Sequence, residues 1–382
     1  MMATEKNPFE KIREEVTNVV QMPTPEEGAP TFEMEDDGGI TVDFSQTSIE
    51  MEAEQSIQEW YGDLTDTVEE EDQQTIAADV IDNYTADKES RSEWEAMFEK
   101  GFDLLGLKIE ETAEPFEGAC TAVHPMLIES AVKFQSKAIQ ELFPPAGPVK
   151  TQILGKSTPE REDQANRVQE FMNYQTTEQM PEYFDEFERM LFHLPLIGSA
   201  FKKVYYDANL KRPVSEFVPI DQFYVSYYAS NLRKADRYTH VIYRSPVELA
   251  KDIRSGIYRD VELPEATNPQ PTSFSEKMDT IIGLSPTATN DPQYTLLEQH
   301  CYLEIEEDYA LPYIVTVEEK SQQILSIRRN YKKDDKNQEK VSHFVHYRFV
   351  PGFSFYGFGL MHFLGNLTMT ATAAMRSLVD AG

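Results

Sequence analysis

With 382 residues, 40% of them hydrophobic and including 22 Phe and 19 Tyr, the chain has material for two or three domains with buried cores. Its formal charge of -32 excludes a protein that coats itself in nucleic acid, because affinity for phosphate needs clustered Lys and Arg. The two cysteines, Cys120 and Cys301, stand in no CxxC pattern, which argues against a disulfide framework or a thiolate zinc site and suits a reducing cytoplasm. The amino end, MMATEKNPFEKIREEV, carries charges where a signal peptide needs an apolar run.

The charge is uneven. From Glu14 to Asp87 there are 22 Asp and Glu and no Lys or Arg. Residues 1–75 therefore read as an acidic, mostly disordered arm, too poor in apolar side chains to offset the entropy of ordering. It is either a solvated tail or a docking arm for a basic partner. Order is expected from near Ile76, with helical spacing in Trp94, Met97, Phe98 and Phe102 and a stop at Gly106. A second helix is predicted over His124–Phe143, with Leu127, Ile128, Val132, Phe134 and Ile139 inward, ended by PPAGP. VKTQIL then reads as a strand, followed by helices over about Pro159–Tyr174 and Glu178–Leu194.

From Gly198 the period becomes that of strands: SAFKKVYYDA, PVSEFVPI, FYVSYY and DRYTHVIYRS, the last expected to close one sheet. Ser245, Pro246 and Glu248 form the start signal of a short helix, SPVELAKDIRSG. Pro264–Pro292, rich in Pro, Ser, Thr and Asn around MDTIIGL, reads as a long connection. Strands resume in LLEQHCYLEIEE, PYIVTVEE, QQILSIRRN and SHFVHYRFV, the middle two forming a hairpin across Lys320 and Ser321. The class is thus α+β.

The chain ends on a helix with no formal charge between Arg348 and Arg376 and an apolar stripe of Leu360, Phe363, Leu364, Leu367, Ala371, Ala374, Met375 and Leu378. Pro351, four glycines, His362, Asn366 and three threonines in that window favour a packing helix over a membrane span. The stripe wants a partner, and the chain reads as cut inside a larger protein.

Candidate chemistry is sparse. Gly155-Lys156-Ser157 lacks the earlier glycine of a phosphate loop, since Lys150 stands in its place. His343 and His346, three apart on a strand, fall on opposite faces and cannot share a metal. Asp308 with Glu318-Glu319-Lys320 imitates the acidic pattern of a metal-dependent nuclease, and Glu304 with Glu306 a glycosidase pair. Such a carboxylate enzyme is the alternative reading. The one basic region gathers Arg328, Arg329, Lys332, Lys333, Lys336 and Lys340 among Tyr331, Phe344 and Tyr347, as contact surfaces for nucleic acid or protein do.

Three segments taken in order, FVPIDQFYVSYYASNLRKADRYTHVIYRSPVEL, LPYIVTVEEKSQQILSIRRNYKKDD and HFVHYRFVPGFSFYGFGLMHFLGNL, carry a resemblance to the portal proteins of tailed bacteriophages, of the short-tailed (podovirus-like) type. It spans roughly Glu93–Gly382, and YGFGLMHFLGNLTMTATAAMRSLVDAG is its most specific part. The resemblance implies a ring of twelve subunits at one capsid vertex, in the virion after assembly in the host cytoplasm. That ring would conduct double-stranded DNA without sequence specificity and dock the terminase large subunit, tail adaptors and capsid or scaffold proteins. It implies no cofactor, no ATP hydrolysis and no membrane.

On that resemblance, residues 76–244 correspond to a wing of helices and sheet and 245–294 to the stem approach. Residues 295–350 correspond to a β-rich clip, and 351–382 to the start of a returning stem or wing helix, without the crown. The basic residues would then touch a partner or DNA. Tyr356, Gly357, Gly359, Leu360, Leu364 and Leu367 would pack subunit on subunit, the small residues letting helices approach closely.

Overall fold

A computed structural model describes residues 31–34, 40–43, 59–107, 116, 118–207, 210–270, 272–284 and 291–381. Within the acidic arm, β1 (Thr31–Met34) and β2 (Ile40–Asp43) pair antiparallel, Phe32 opposite Val42 and Met34 opposite Ile40. That hairpin was not expected, although Asp36-Asp37-Gly38-Gly39 between the strands is turn-forming sequence. The expectation of disorder for most of the remaining arm lies outside the described residues.

The second unit begins at Asp63. Here the boundary at residue 75 fails. Asp63 Oδ1 accepts hydrogen bonds from the Ile327 and Thr65 amides, and the Leu64 N–H donates to Ile327 C=O, so residues 63–64 pair with a strand edge. Helix α1 then runs Glu70–Ser90. The acidic run Glu69–Asp72 that reads as a solvated tail is its N-terminus, where carboxylates oppose the positive end of the helix dipole. Ala77, Val80, Tyr84 and Asp87 face inward, and Asp87 receives Arg237 through both Nε (3.0 Å) and Nη2 (2.8 Å).

Helix α2 (Ser92–Asp103) buries Phe98 and Phe102 as its spacing predicts, while Met97 turns outward. Helix α3 (Met126–Leu142) buries Leu127 and Ala131 but exposes Val132. The expected strand VKTQIL does not form. Instead the Asn173 side chain accepts from the Val149 N–H and donates to its C=O, Gln169 takes the Thr151 N–H, and Leu154 is left 86% exposed. Asn173 and Gln169 stand on α4 (Pro159–Tyr174), which a single π turn, Gln175–Gln179, links to α5 (Glu182–Ile197). Gly198, at φ 100°, ends α5 in the left-handed region.

Among the described residues eight strands follow the hairpin: β3 (Ser199–Asp207), β4 (Arg212–Val218), β5 (Phe223–Val225), β6 (Tyr238–Arg244), β7 (Tyr294–Leu303), β8 (Leu311–Glu318), β9 (Ile324–Arg329) and β10 (Phe344–Arg348). They divide differently from the expectation of one early and one late sheet. One sheet has the order β10-β3-β4, the other β5-β6-β7-β8-β9. The boundaries at 244 and 295 are crossed by the β6–β7 ladder, and β10 returns to pair with β3. The cause sits at Pro219 and the 3-10 turn Ile220–Gln222: proline offers no N–H, and the chain steps from one sheet to the other.

Two further helices lie between β6 and β7. Helix α6 (Pro246–Arg254) has both hydrogen bonds of the predicted capping box between Ser245 and Glu248. Helix α7 (Ser273–Ile282) occupies the stretch expected as connection. Thr272 caps it, Gly283 ends it, and Phe274 meets Phe102 edge to face at 5.1 Å. A main core gathers Phe98, Phe102, Leu127, Phe201, Phe223, Phe274, Phe344 and Phe355 between helices and sheets.

Helix α8 (Leu360–Ala381) is seated on Met361, Gly365, Thr368 and Thr372. These residues lie roughly 100° around the helix from the middle of the apolar stripe, given 3.6 residues per turn. Leu360 and Leu364 still touch the core, but Phe363, Leu367 and Leu378 face outward, Leu378 being 75% exposed. Among the described residues no helix is long and apolar enough to cross a membrane.

Candidate functional site

The basic region comes apart in the fold. Arg328 Nη2 donates to the carbonyls of Gly256 (3.0 Å) and Ile257 (2.6 Å). Arg329 clasps Glu306 through Nε (2.7 Å) and Nη2. Lys340 Nζ donates to the carbonyls of Leu232 (3.1 Å) and Ala235 (2.8 Å) and lies 4.9 Å over the Tyr238 ring; burial draws its pKa down to about 8. Three of the six cations expected to meet a partner therefore bond within the chain, and Lys332, Lys333 and Lys336 remain at the surface.

The aromatic-glycine segment is likewise drawn inward. Tyr356 stacks on Trp94 at 4.8 Å and accepts a hydrogen bond from Arg91, whose guanidinium lies 3.8 Å over Tyr224. The Gly357 N–H donates to Ser199 Oγ at 2.8 Å. A Cβ at Gly357 would stand 2.8 Å from Val350 O, and one at Gly359 2.6 Å from Gly198 N, inside any real contact distance. The glycines serve a backbone crossing within the chain. Of the expected packing residues, Leu367 alone is exposed, at 57%.

The acidic residues of the nuclease-like pattern stand apart. Asp308 lies before β8 and Glu318 at its far end, separated by about 24 Å of extended chain. Glu318 is buried and accepts the Ser321 N–H at 2.6 Å. Glu306 is held below the usual carboxylate range by its hydrogen bond from Arg329, and Tyr313 also donates to it. Among the described residues no group of three or more His, Cys, Asp or Glu is arranged to hold a metal ion. His346 packs against both Phe201 (4.7 Å) and Phe355 (4.5 Å), and its Nε2 meets Ser199 Oγ at 3.1 Å. His343 lies beside His300, on the other side of the strand as its spacing requires.

The densest charged grouping was not visible in the sequence. Glu298 on β7 receives Lys203 Nζ from β3 at 2.7 Å and faces His300 Nε2 at 3.3 Å and His240 Nδ1 at 3.9 Å, the last beyond hydrogen-bond reach. Asn330 Nδ2 stands 3.2 Å from His300 Nδ1. Burial opposes the Glu298 carboxylate, yet Lys203 and the adjacent imidazoles hold its pKa well below the ordinary value. Burial pushes His300 down to about 4 and lowers His240 and His343, so the imidazoles are neutral around one ion pair. Because β3 belongs to one sheet and β7 to the other, this pair ties the sheets together.

Next to it lies a cleft of about 410 Å³ between Glu216–Pro219 and His240–Arg244, with Lys203, Tyr205, Gln222, Glu186 and Arg189 completing its walls. Each strong charge on the walls already has a partner: Arg189 has Glu186, Arg244 has Asp252, and Glu216 takes the Tyr205 hydroxyl. Alternating strand residues read as solvated faces in a sequence, so neither cleft nor ion pair could be found there. The only signal was four charged or imidazole residues, Lys203, His240, Glu298 and His300, at strand positions. The chain matches no protein-family model and no curated protein.

Proposed function

We propose that the chain is a portal subunit of a tailed bacteriophage of the short-tailed type. It forms a ring at one capsid vertex, conducts double-stranded DNA, docks terminase and tail adaptors, and performs no catalysis itself. The observation that carries this reading is the outward face of α8. Phe363, Leu367 and Leu378 are exposed together on one side of a helix with no charge before Arg376. Such a face is stable in water when another helix covers it.

The α+β architecture and the three segments of resemblance agree with the reading. So does the charge: a surface at -32 repels phosphate and lets DNA slide, while Lys332, Lys333 and Lys336 offer one local contact for an acidic partner. Electron microscopy and mass photometry of the protein expressed from its natural reading frame test it. Closed rings are expected, reduced to monomers by Phe363→Asp together with Leu367→Asp; a monomer at every concentration overturns the reading.

A further inference from the structure

The cleft between β4 and β6 is a fork. Strand β6 is seven residues long, but β5 covers it only from Tyr238 to His240. Beyond that point β4 leads away on the other sheet, and among the described residues no strand pairs with Val241–Arg244 on this side. Those four residues line the cleft in sequence, and so do Glu216–Pro219 opposite.

Ladder alternation fixes which peptide groups point into the fork. Residues of an antiparallel strand turn their N–H and C=O to alternate sides. The Arg237 C=O accepts Ser226 N–H on the β5 side, at 3.5 Å, and the Thr295 C=O accepts Glu319 N–H on the β8 side, at 3.0 Å. With Tyr243 opposite Thr295 and Tyr238 opposite His300, the even-numbered residues of β6 bond to β7. Val241 and Tyr243 therefore present their N–H and C=O groups to the cleft. The opposite wall offers no such edge: Glu186 Oε2 accepts the Phe217 N–H at 2.6 Å, and Pro219 has none.

We propose that the fork is a strand-addition site, where an extended segment of a partner polypeptide lies along Val241–Arg244 and continues the line of β5. Four residues in β conformation span about 13 Å, so the contact is short. Side chains entering the cleft meet Lys203, Tyr205, Gln222 and His240, which suits Thr, Ser or Asn rather than long apolar residues. Because the wall charges are already paired, recognition rests on the backbone. The inference stands independently of the ring reading.

Amide hydrogen exchange by NMR on the full chain decides it, with acetyl-Thr-Val-Thr-Val-amide as probe and its analogue N-methylated at alternate peptide nitrogens as control. In the free chain Val241 and Tyr243 are expected to exchange at least about 100-fold faster than Ile242 and Arg244, as open-edge amides do. Peptide at millimolar concentration slows the first pair about tenfold or more, and the N-methylated peptide does not. Tyr243→Pro, which removes an N–H that the β6–β7 ladder does not use, abolishes the effect at Val241 while Ile242 stays protected. Three outcomes overturn the proposal: protection of Val241 and Tyr243 in the free chain, no slowing with peptide, or equal slowing by the N-methylated peptide. The wild-type measurements hold even where the proline variant does not fold.

Discussion

Lys202 and Lys203 are adjacent on β3, the first buried and the second largely so, yet the two sides of the strand treat them oppositely. Lys203 points between the sheets and pairs with Glu298 at 2.7 Å. Lys202, 1% exposed, points toward α5, with its Nζ 4.1 Å from the centre of the Phe187 ring and 4.9 Å from that of Tyr183. Among the described residues that Nζ has no hydrogen-bond partner, and burial draws its pKa down to about 8. One cation is held by a carboxylate and the other by aromatic faces. Strand alternation alone sends two identical side chains into such different interiors.

The contrast breaks most readily at Glu298. Glu298→Ala leaves Lys203 buried without its anion and is expected to cost about 3–5 kcal/mol in urea unfolding. Replacing the pair together, Lys203→Met with Glu298→Leu, recovers most of that loss, because a packed apolar pair carries no desolvation cost. A single-variant loss below about 1 kcal/mol would mean that solvent reaches the pair after all.

Acid tests the same side of β3. The His300 pKa in the fold is about 4 against an ordinary 6.5, so the unfolded chain binds the proton first. The stabilisation is fully present above pH 6.5 and is lost as pH falls through 4, on the order of 3 kcal/mol for this residue. His346, pushed to about 3 by burial, adds to the slope with the same sign. Unfolding free energies at pH 7, 5.5 and 4.5 should fall steadily, and His300→Asn should flatten the curve.

Lys202 gives the smallest effect. Lys202→Met keeps the length of the side chain and removes an unpartnered amine, so stability at pH 7 should change by less than about 1 kcal/mol. The wild-type chain should gain stability as pH rises from 8 toward 10.5, because the unfolded lysine holds its proton longer, and the variant should gain less. A large loss in the variant at pH 7 would show that the ammonium–ring contact outweighs its desolvation.

Local signals in the sequence were reliable where the structure they specify is local. The capping box at Ser245 and Glu248, the breaks at Gly106 and Gly198 and the hairpin around Lys320 and Ser321 all depend on neighbours in the chain. The helix Ser273–Ile282 had its signals in Thr272 and Gly283, but its proline-rich flanks masked them. The partition of strands could not be read, because β10 reaches β3 across some 140 residues and no periodicity encodes that choice. For α8 the outward stripe was legible, since Phe363, Leu367 and Leu378 are exposed, but the seat of the helix was not. Close approach selected Gly365, Thr368 and Thr372 beside Met361, while Phe363, Leu367 and Leu378 were turned away. The Glu298 pairing depends on two sheets meeting, so it too was out of reach.

The crossing of Gly198 with Gly357 and Gly359 has a mechanical meaning. At that point main chain rests on main chain, with the Phe349 N–H bonded to the Gly198 C=O and Val350 paired with Phe358. Side chains can yield by changing rotamer, but abutting backbones cannot. A load applied along α8 is therefore borne at this fulcrum and passed directly into β3, which begins one residue after Gly198.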